Sequence, residues 1–526
     1  MRPHKEIRHM AKTETKAEKE ITIDELKTEI LNDYRLASFS REISLMGRRE
    51  VLTGKAKFGI LGDGKEVAQI ALAKQWQPGD WRSGYYRDQT MMMAAGLLTG
   101  EQFFAQLYAD ADVEREPASA GRMMNGHYAT RSLDDNGNWK NLAEQVNSSA
   151  DISPTAGQMP RLLGLGLASK FYRNNPELKD KKKFSKGGNE IAFGTIGDAS
   201  TSEGMFWEAL NAAGVMQVPI VMSVWDDGHG ISVPKEFQTI KESISEALSG
   251  FQRSKNKKGF EILKTKGWDY PHLVLTYEKA AKIAREDHVP VLVHVEEVTQ
   301  PQGHSTSGSH ERYKTPERLQ WEKDFDPIKK MKEFILEKGL SSEEELAEIE
   351  KTAKKEARDA KTNAWKNFLE PIKAEHKEAV DLIAAMGAES KNSVFINKIK
   401  DELASAVDPL RKEIYESIRK SLRYARNEQL SSKSALVSWL GKRMDENRDR
   451  YSSHLHSESE DSPLDIAGVD VNYADEAVVD GREILRDNFD ALLNNHPELI
   501  IFGEDAGKIG GVNQGLEGLQ AKYGVH

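Results

Sequence analysis

Two acids stand 29 residues apart in this sequence, each at the end of an apolar run. Asp198 lies in Gly197-Asp198-Ala199-Ser200-Thr201-Ser202-Glu203-Gly204, and Asp227 in Trp225-Asp226-Asp227-Gly228-His229-Gly230. If the two runs are consecutive parallel strands, both carboxylates project into one crevice. A Gly-rich turn and a helix N-terminus then lie beside them. Exposed backbone amides at a helix N-terminus suit phosphate, and paired oxygens suit Mg²⁺. Carboxylates facing a phosphate repel it unless a divalent cation bridges them. Either acid alone reads as a turn or cap residue. The pair on successive strands points instead to a metal–diphosphate site.

The elements that must position these acids are legible. Ile191–Ile196, Pro219–Trp225 and Val291–Val298 are short, nearly continuous apolar runs, as buried parallel strands require. Helical segments separate them, Glu203–Met216 between the first two and Tyr277–Glu286 before the third. Strand–helix–strand alternation predicts an α/β fold with a doubly wound parallel sheet. In such sheets ligands bind at the carboxyl ends of the strands, where the polar residues collect here.

The rest of the chain frames this domain. Its 526 residues suggest about three domains. The absence of cysteine rules out a disulfide framework, a thiolate zinc site, an iron–sulfur cluster and a cysteine nucleophile. With 74 Lys and Arg against 84 Asp and Glu, the net charge of −10 argues against a nucleic-acid or membrane-surface role. No apolar run approaches the ~20 residues that span a bilayer, and the charged start lacks a signal-peptide pattern. The expectation is a cytoplasmic protein. Residues 1–20 read as a disordered tail, 21–327 as the α/β domain, 328–460 as a helical insert, 461–475 as a linker and 476–526 as the start of a second α/β domain. In the insert, Phe395, Ile399, Leu403, Val407, Leu410, Ile414, Ile418 and Leu422 form one apolar stripe, which Pro409 should kink or divide. Ser342 and Glu345 fit a capping box. Lys181–Lys183 and Lys186-Gly187-Gly188 read as an exposed hairpin.

A Gly-Asp-Gly followed about 30 residues later by Asn is the diphosphate–Mg²⁺ motif of thiamine diphosphate enzymes, and this sequence resembles the decarboxylating component of 2-oxoacid dehydrogenase complexes. The likeness runs over roughly 30–325 to the family's alpha subunit and over about 476–525 to the start of its beta subunit. Tyr85-Tyr86-Arg87-Asp88 resembles its diphosphate-reaching Tyr-Arg. Gly121-Arg122-Met123-Met124-Asn125-Gly126-His127-Tyr128 and Ser153-Pro154-Thr155-Ala156-Gly157-Gln158-Met159-Pro160 resemble the branched-chain relatives. Gly303-His304-Ser305-Thr306-Ser307 resembles the active-site His-Ser loop, and Gly503-Glu504-Asp505 with Gly510-Gly511 the opening of the beta subunit.

The resemblance implies thiamine diphosphate and Mg²⁺ as cofactors and a thiamine diphosphate-binding fold. It implies Asp198 as a metal ligand, Asp227 at the family's Asn, and His229 where a backbone carbonyl reaches the metal. Tyr86 and Arg87 would bind diphosphate oxygens, with Gly197, Ala199 and Ser200 lining the diphosphate. His304 would stand near the reacting carbon, and His127 is a further candidate. Ser305 resembles a position phosphorylated in animal relatives. Glu504 reads as a turn carboxylate.

Several positions depart from the pattern. Ala199 replaces the second glycine, which is tolerable at negative φ. Asp227 for Asn adds negative charge beside a diphosphate. Ile60 and Gln89 stand where pyruvate-specific relatives carry His, which favours a larger, more apolar 2-oxoacid. Ile152 and Gly157 replace hydroxyl residues of a potassium site, which speaks against potassium.

The resulting expectation is a fused alpha–beta component whose beta-type half is truncated before its catalytic Glu. It would oxidatively decarboxylate a branched-chain 2-oxoacid and acylate a lipoyl group on the acyltransferase core. A homodimer of fused chains is expected. Pyruvate or 2-oxoglutarate as substrate remains open, as does a non-catalytic cofactor- or partner-binding fragment.

Overall fold

The computed structural model describes residues 22–453, 455, 462–470 and 478–525. The tail read over 1–20 and residues 461 and 471–475 of the linker lie outside the described residues. A six-stranded parallel sheet organises the first part. Its strands are β1 (Trp81–Ser83), β2 (Asn147–Ser148), β3 (Ala192–Gly197), β4 (Ile220–Trp225), β7 (Glu261–Lys266) and β8 (Val291–Glu296), in spatial order β2-β1-β3-β4-β8-β7. A small antiparallel pair, β5 (His229–Gly230) and β6 (Val233–Pro234), follows β4.

Both faces of the central strands are covered, which is why β3, β4 and β8 read as nearly continuous apolar runs. Phe193, Val221, Val291, Val293 and Val295 face a core shared with Tyr34 of helix α1 (Ile23–Leu52), Val67 and Ile70 of helix α2 (Glu66–Ala73), and Tyr277. Ala192, Ile196, Ile220, Met222, Val224 and Leu292 face a second core with Phe206 and Leu210. Burying each large side chain contributes about 1.5–3 kcal/mol. The doubly wound α/β sheet expected from the sequence is therefore present.

Element boundaries shift where caps act. The helix expected from Tyr277 begins at Tyr270, because Asp269 accepts the His272 N–H at 3.2 Å and Pro271 fits the first turn. The strand expected to reach Val298 ends at Glu296, where Glu297 turns left-handed at φ 58°. The lysine-rich stretch is a succession of turns rather than a hairpin, held by Phe184 against Trp139 at 5.3 Å.

A helix of 47 residues, Glu343–Glu389, leads into the helical region. Ser342 caps it through the Glu345 N–H at 3.2 Å, but the expected capping box is only half formed, because the Glu345 carboxylate accepts from the Ser341 hydroxyl at 2.6 Å instead. Ala357 and Ala364 pack with Ile43 and Met46 of α1, whereas Ile372, Ala379 and Ile383 join a separate cluster with Ile396, Ile414, Ile418 and Leu436. Pro371 lies between the two sets. The single apolar stripe is corrected in part. The chain breaks into helices Ser393–Ala404 and Arg411–Tyr424 ahead of and after Pro409, and Phe395 and Val407 are 52% and 84% exposed. Among the described residues, 478–525 contain the helix Gly481–Asn495, the short helix Leu519–Tyr523 and no strand. No helix of the described residues is long and apolar enough to cross a membrane.

Candidate active site

Strand register brings the acids together. Gly197 pairs with Trp225, and Trp225 with Val295, so β3, β4 and β8 end level. The Asp198 N–H donates to the Trp225 carbonyl at 3.1 Å, and the Asp226 N–H to the Val295 carbonyl at 2.9 Å. Asp198 opens a 3₁₀ turn, Ala199–Ser202, yet its side chain does not cap that turn. Ala199 adopts right-handed helical backbone there, so its methyl meets the negative-φ condition. A Cβ built on Gly197 would have the Tyr85 hydroxyl at 3.9 Å and the Ser200 hydroxyl at 4.0 Å, which leaves open space over the turn.

The three acids have different surroundings. Asp226 accepts from His294 Nε2 at 3.0 Å, Lys235 Nζ at 3.1 Å and the Gly228 N–H at 2.9 Å. His294 is fixed in turn by the Ser245 hydroxyl at 2.8 Å from Nδ1. Burial pushes the Asp226 carboxyl up, but His294 and Lys235 outweigh it and hold the group below the usual range. Asp227 turns the other way. It accepts the His229 N–H at 3.1 Å and lies 3.8 Å from Lys65 Nζ. Asp198 is buried, and among the described residues no Lys, Arg or His forms an ion pair with it. Burial, then Asp227 and Asp226, pushes its carboxyl well above the usual range, against the pull of the Ala199 N–H and Lys235.

Buried like charges of this kind fit a cation. Among the described residues no group of three or more His, Asp or Glu side chains forms a metal cage. Asp198 and Asp227 offer two carboxylates at the ends of adjacent strands, to which the resemblance adds the His229 carbonyl. That suits Mg²⁺, which keeps waters and takes phosphate oxygens alongside one or two carboxylates.

The Tyr-Arg motif is held by a buried network. Arg82 is wholly buried and binds Asp88 at 2.7 Å and Asp151 at 3.0 Å. Asp88 accepts the Tyr85 N–H at 3.1 Å and the Thr195 hydroxyl at 2.5 Å, which pins the 85–88 turn to β3. Arg87 reaches the His-Ser loop. It donates to the Leu61 carbonyl at 2.7 Å, the His304 carbonyl at 2.8 Å and His304 Nδ1 at 3.0 Å. A guanidinium cannot accept, so Nδ1 is the acceptor and the imidazole proton sits on Nε2. Burial, then Arg87 and Lys65, lowers the His304 pKa to about 4, so the ring is neutral at neutral pH. Arg48 supports the loop by donating to the carbonyls of Gln302 at 2.9 Å and Ser305 at 3.1 Å.

His304 thus rests on Arg87 and feels the charge of Asp227, which in turn acts on Asp198. Tyr86 stacks loosely under Arg87, with the guanidinium carbon 5.4 Å from its ring, and lies 6.4 Å from the His127 ring. His127 is buried and committed to protein partners. Its Nδ1 donates to the Met124 carbonyl at 3.0 Å, and its Nε2 accepts from the Ser153 hydroxyl at 2.9 Å. His229 is half-buried, with its ring 6.3 Å from Tyr313. Ser305 binds Ser307 hydroxyl to hydroxyl at 2.7 Å. Glu504 lies in an exposed turn.

Sequence reasoning missed four residues of this constellation. Tyr85, rather than only Tyr86, reaches Gly197. Asp226 is the pillar of the β4 turn, and Arg318 donates to the Asp227 carbonyl at 2.8 Å from the helix Pro316–Asp324. Lys65 is only 2% exposed, and burial lowers its pKa to about 8. Its signal was readable as a lysine heading the run Glu66–Ala73, every residue of which is buried.

The family described as "Dehydrogenase E1 component" matches residues 40–372. The chain belongs to the dehydrogenase E1 component family. It is 27% identical over 321 residues to the 2-oxoisovalerate dehydrogenase subunit alpha of Bacillus subtilis (strain 168), covering 60% of this chain and 84% of the relative. Against the mitochondrial 2-oxoisovalerate dehydrogenase subunit alpha of Caenorhabditis elegans the figures are 27% over 304 residues, 57% and 61%. Against the pyruvate dehydrogenase E1 component subunit alpha of Rickettsia bellii (strain RML369-C) they are 28% over 203 residues, 39% and 55%. The matched part therefore spans less than two thirds of the nematode and Rickettsia relatives. The recognition of a 2-oxoacid dehydrogenase decarboxylase component, made from ordered motifs, agrees with this membership. The E1 match runs past residue 327 and ends beside Pro371, where the long helix passes from one core to the other.

Proposed function

We propose that this E1 component anchors thiamine diphosphate and Mg²⁺ at the ends of β3 and β4 and serves oxidative decarboxylation of a branched-chain 2-oxoacid of the 3-methyl-2-oxobutanoate type. The acyl group would pass to a lipoyl group on the acyltransferase core. The observation that carries the reading is Asp198, a buried carboxylate raised by burial and by Asp227 and Asp226, with no basic partner among the described residues.

When bound, thiamine diphosphate supplies the electron sink that a 2-oxoacid needs to lose CO₂. The protein does the rest. Asp198 and Asp227 would hold the metal by their carboxylates, with the His229 carbonyl as the third protein donor. Gly197, Ala199 and Ser200 leave the turn open to phosphate oxygens. Tyr86 lies beside them. Arg87 carries five N–H donors, so donors beyond those to Leu61 and His304 remain for a diphosphate oxygen. His304 is kept neutral with its proton on Nε2, so it donates a hydrogen bond to developing negative charge without repelling a cation. His127 acts at one remove, fixed by Met124 and Ser153, as a support of the Tyr86 ring.

The substrate class rests on two buried positions. Gln89 accepts the Gly62 N–H at 3.2 Å and donates to Ser44 at 2.8 Å, and Ile60 is 5% exposed. Neither offers an ionisable group to a small polar substrate. Each methylene fitted into an apolar pocket is worth about 1–3 kcal/mol of discrimination. Steady-state kinetics on 3-methyl-2-oxobutanoate, pyruvate and 2-oxoglutarate test this, and a preference for pyruvate rejects it. Pyruvate is the second reading, favoured by the name of the Rickettsia relative. Calorimetry tests the anchor itself. The protein should bind thiamine diphosphate with Mg²⁺, and Asp198→Ala should lose most of the affinity; equal binding by both refutes the metal assignment. A homodimer of fused alpha–beta chains and a cytoplasmic setting complete the proposal, to be checked by sedimentation of the protein and by cell fractionation.

A further inference from the structure

Lys65 is an ammonium group sealed inside the fold, 2% exposed, at the head of a helix whose eight residues are all buried. An isolated buried cation is costly, so it must have compensation. Two partners supply it. Lys65 Nζ donates to Gln300 Oε1 at 2.7 Å and lies 3.8 Å from Asp227 Oδ2. The Gln300 amide is oriented by its own donation to the Gly303 carbonyl at 2.9 Å, which leaves its oxygen for Lys65. The backbone just ahead of Lys65 also abuts the same loop. Gly64 is left-handed at φ 87°, and a Cβ there would lie 2.0 Å from the Thr299 carbonyl oxygen. Lys65 therefore joins α2, the turn after β4 and the His-Ser loop.

The other charges around Asp227 are already committed. Lys235 pairs with Asp226, and Arg87 donates to Leu61 and His304. Asp227 occupies the position at which the resemblance expects a neutral Asn, and Lys65 is the cation beside it. An Asp and a Lys together carry the net charge of an Asn alone. We propose that Lys65 is a positioning residue that offsets and orients the Asp227 carboxylate, so that an acid can serve at this metal–diphosphate position. The inference rests on the cofactor reading above. It adds that the two residues act as a compensating pair.

A double-mutant cycle in the full chain tests it, with thiamine diphosphate titrated calorimetrically in the presence of Mg²⁺. Lys65→Met should weaken binding at least about tenfold, because it leaves Asp227 uncompensated beside Asp198 as a diphosphate arrives. Adding Asp227→Asn to Lys65→Met should restore binding to within about threefold of wild type, since neutral now faces neutral. Asp227→Asn alone should bind at least as well as the double variant, because the Lys65 ammonium then faces the arriving anion. Recovery by a second substitution is what a merely space-filling role for Lys65 would not give. Unchanged binding by Lys65→Met, or losses that simply add in the double variant, overturns the pair. If Lys65→Met does not fold, the double variant decides: folding and binding support the pair, and failure of both overturns it. Should wild type itself bind no thiamine diphosphate, the cofactor reading falls instead, and that outcome is distinct from a wild type that binds with no coupling.

Discussion

Arg87→Met should change the protonation of a residue far away in sequence. Arg87 and His304 are 217 positions apart, yet the guanidinium donates to both the ring Nδ1 and the carbonyl of His304. Removing it deletes the donor that fixes the tautomer and one of the charges that lowers the His304 pKa. Burial, the largest cause, stays. The pKa should therefore climb from about 4 but stop short of its ordinary 6.5. The stability cost can be built from the same contacts. The Leu61 carbonyl is buried and loses a charged donor at 2.7 Å, while the half-buried His304 can turn to water. One fully unsatisfied carbonyl plus part of another gives a loss of about 2–4 kcal/mol. Long-range ¹⁵N–¹H correlation spectra across a pH titration read tautomer and pKa together, and urea unfolding reads the stability. Wild type should carry its proton on Nε2, and the variant should show a mixture. An unchanged tautomer with an unchanged pKa would refute the claim that Arg87 sets the state of the ring.

Other expectations follow from the same structure. Burial and Arg173 lower the His288 pKa from 6.5 to about 4, so the unfolded chain takes up a proton first as pH falls. Its contribution to stability is complete above 6.5 and lost towards 4, and His304 acts in the same window, so thermal midpoints should drop there. His288→Asn, which tolerates the left-handed φ of 52°, should flatten that dependence. Asp226→Asn removes the ionised acceptor of His294 and Lys235 and should cost about 1–3 kcal/mol in denaturant unfolding; it should also weaken thiamine diphosphate binding in calorimetry, because the β4 turn loses its pillar. Gly64→Ala forces a side chain into left-handed backbone, a penalty of about 1–2 kcal/mol before any clash with Thr299. Its melting temperature should fall clearly below that of Gly54→Ala, which has the same backbone sign and open space around it.

Much of the fold was legible because local and tertiary signals agree. Ala192–Gly197, Ile220–Trp225 and Val291–Glu296 carry apolar residues on both faces of the pleat, interrupted by Thr195, Ser223, His294 and Glu296, because both sheet faces are covered, and that leaves a mark in the sequence. The ends of elements were less legible where a single side chain or backbone angle decides them, as at Asp269 and Glu297. The helical stripe failed at Phe395 and Val407 for a related reason. Periodicity says which residues share a face, and Leu403, Ile414 and Ile418 do share one core across the break at Pro409; Phe395 opens its helix and Val407 falls in the connection between the two helices, outside that core.

The site divides along the same line. Asp198 and Asp227 could be found because each ends a readable strand, and parallel register alone brings strand ends together. Their charges could not be assigned from the same reading, because a carboxylate takes its state from neighbours that register does not bring. Asp226 and Asp227 are adjacent in sequence, yet one faces His294 and Lys235 while the other faces His229 and Lys65. Alternation about the strand end sends them to different partners, and those partners come from a loop, another strand and a helix far along the chain. Asp226 is consequently a structural acid and Asp227 a candidate ligand, though nothing in the dipeptide distinguishes them. A substitution that looks unfavourable within its motif, Asp for Asn, therefore has to be judged together with the buried lysine that the fold sets beside it.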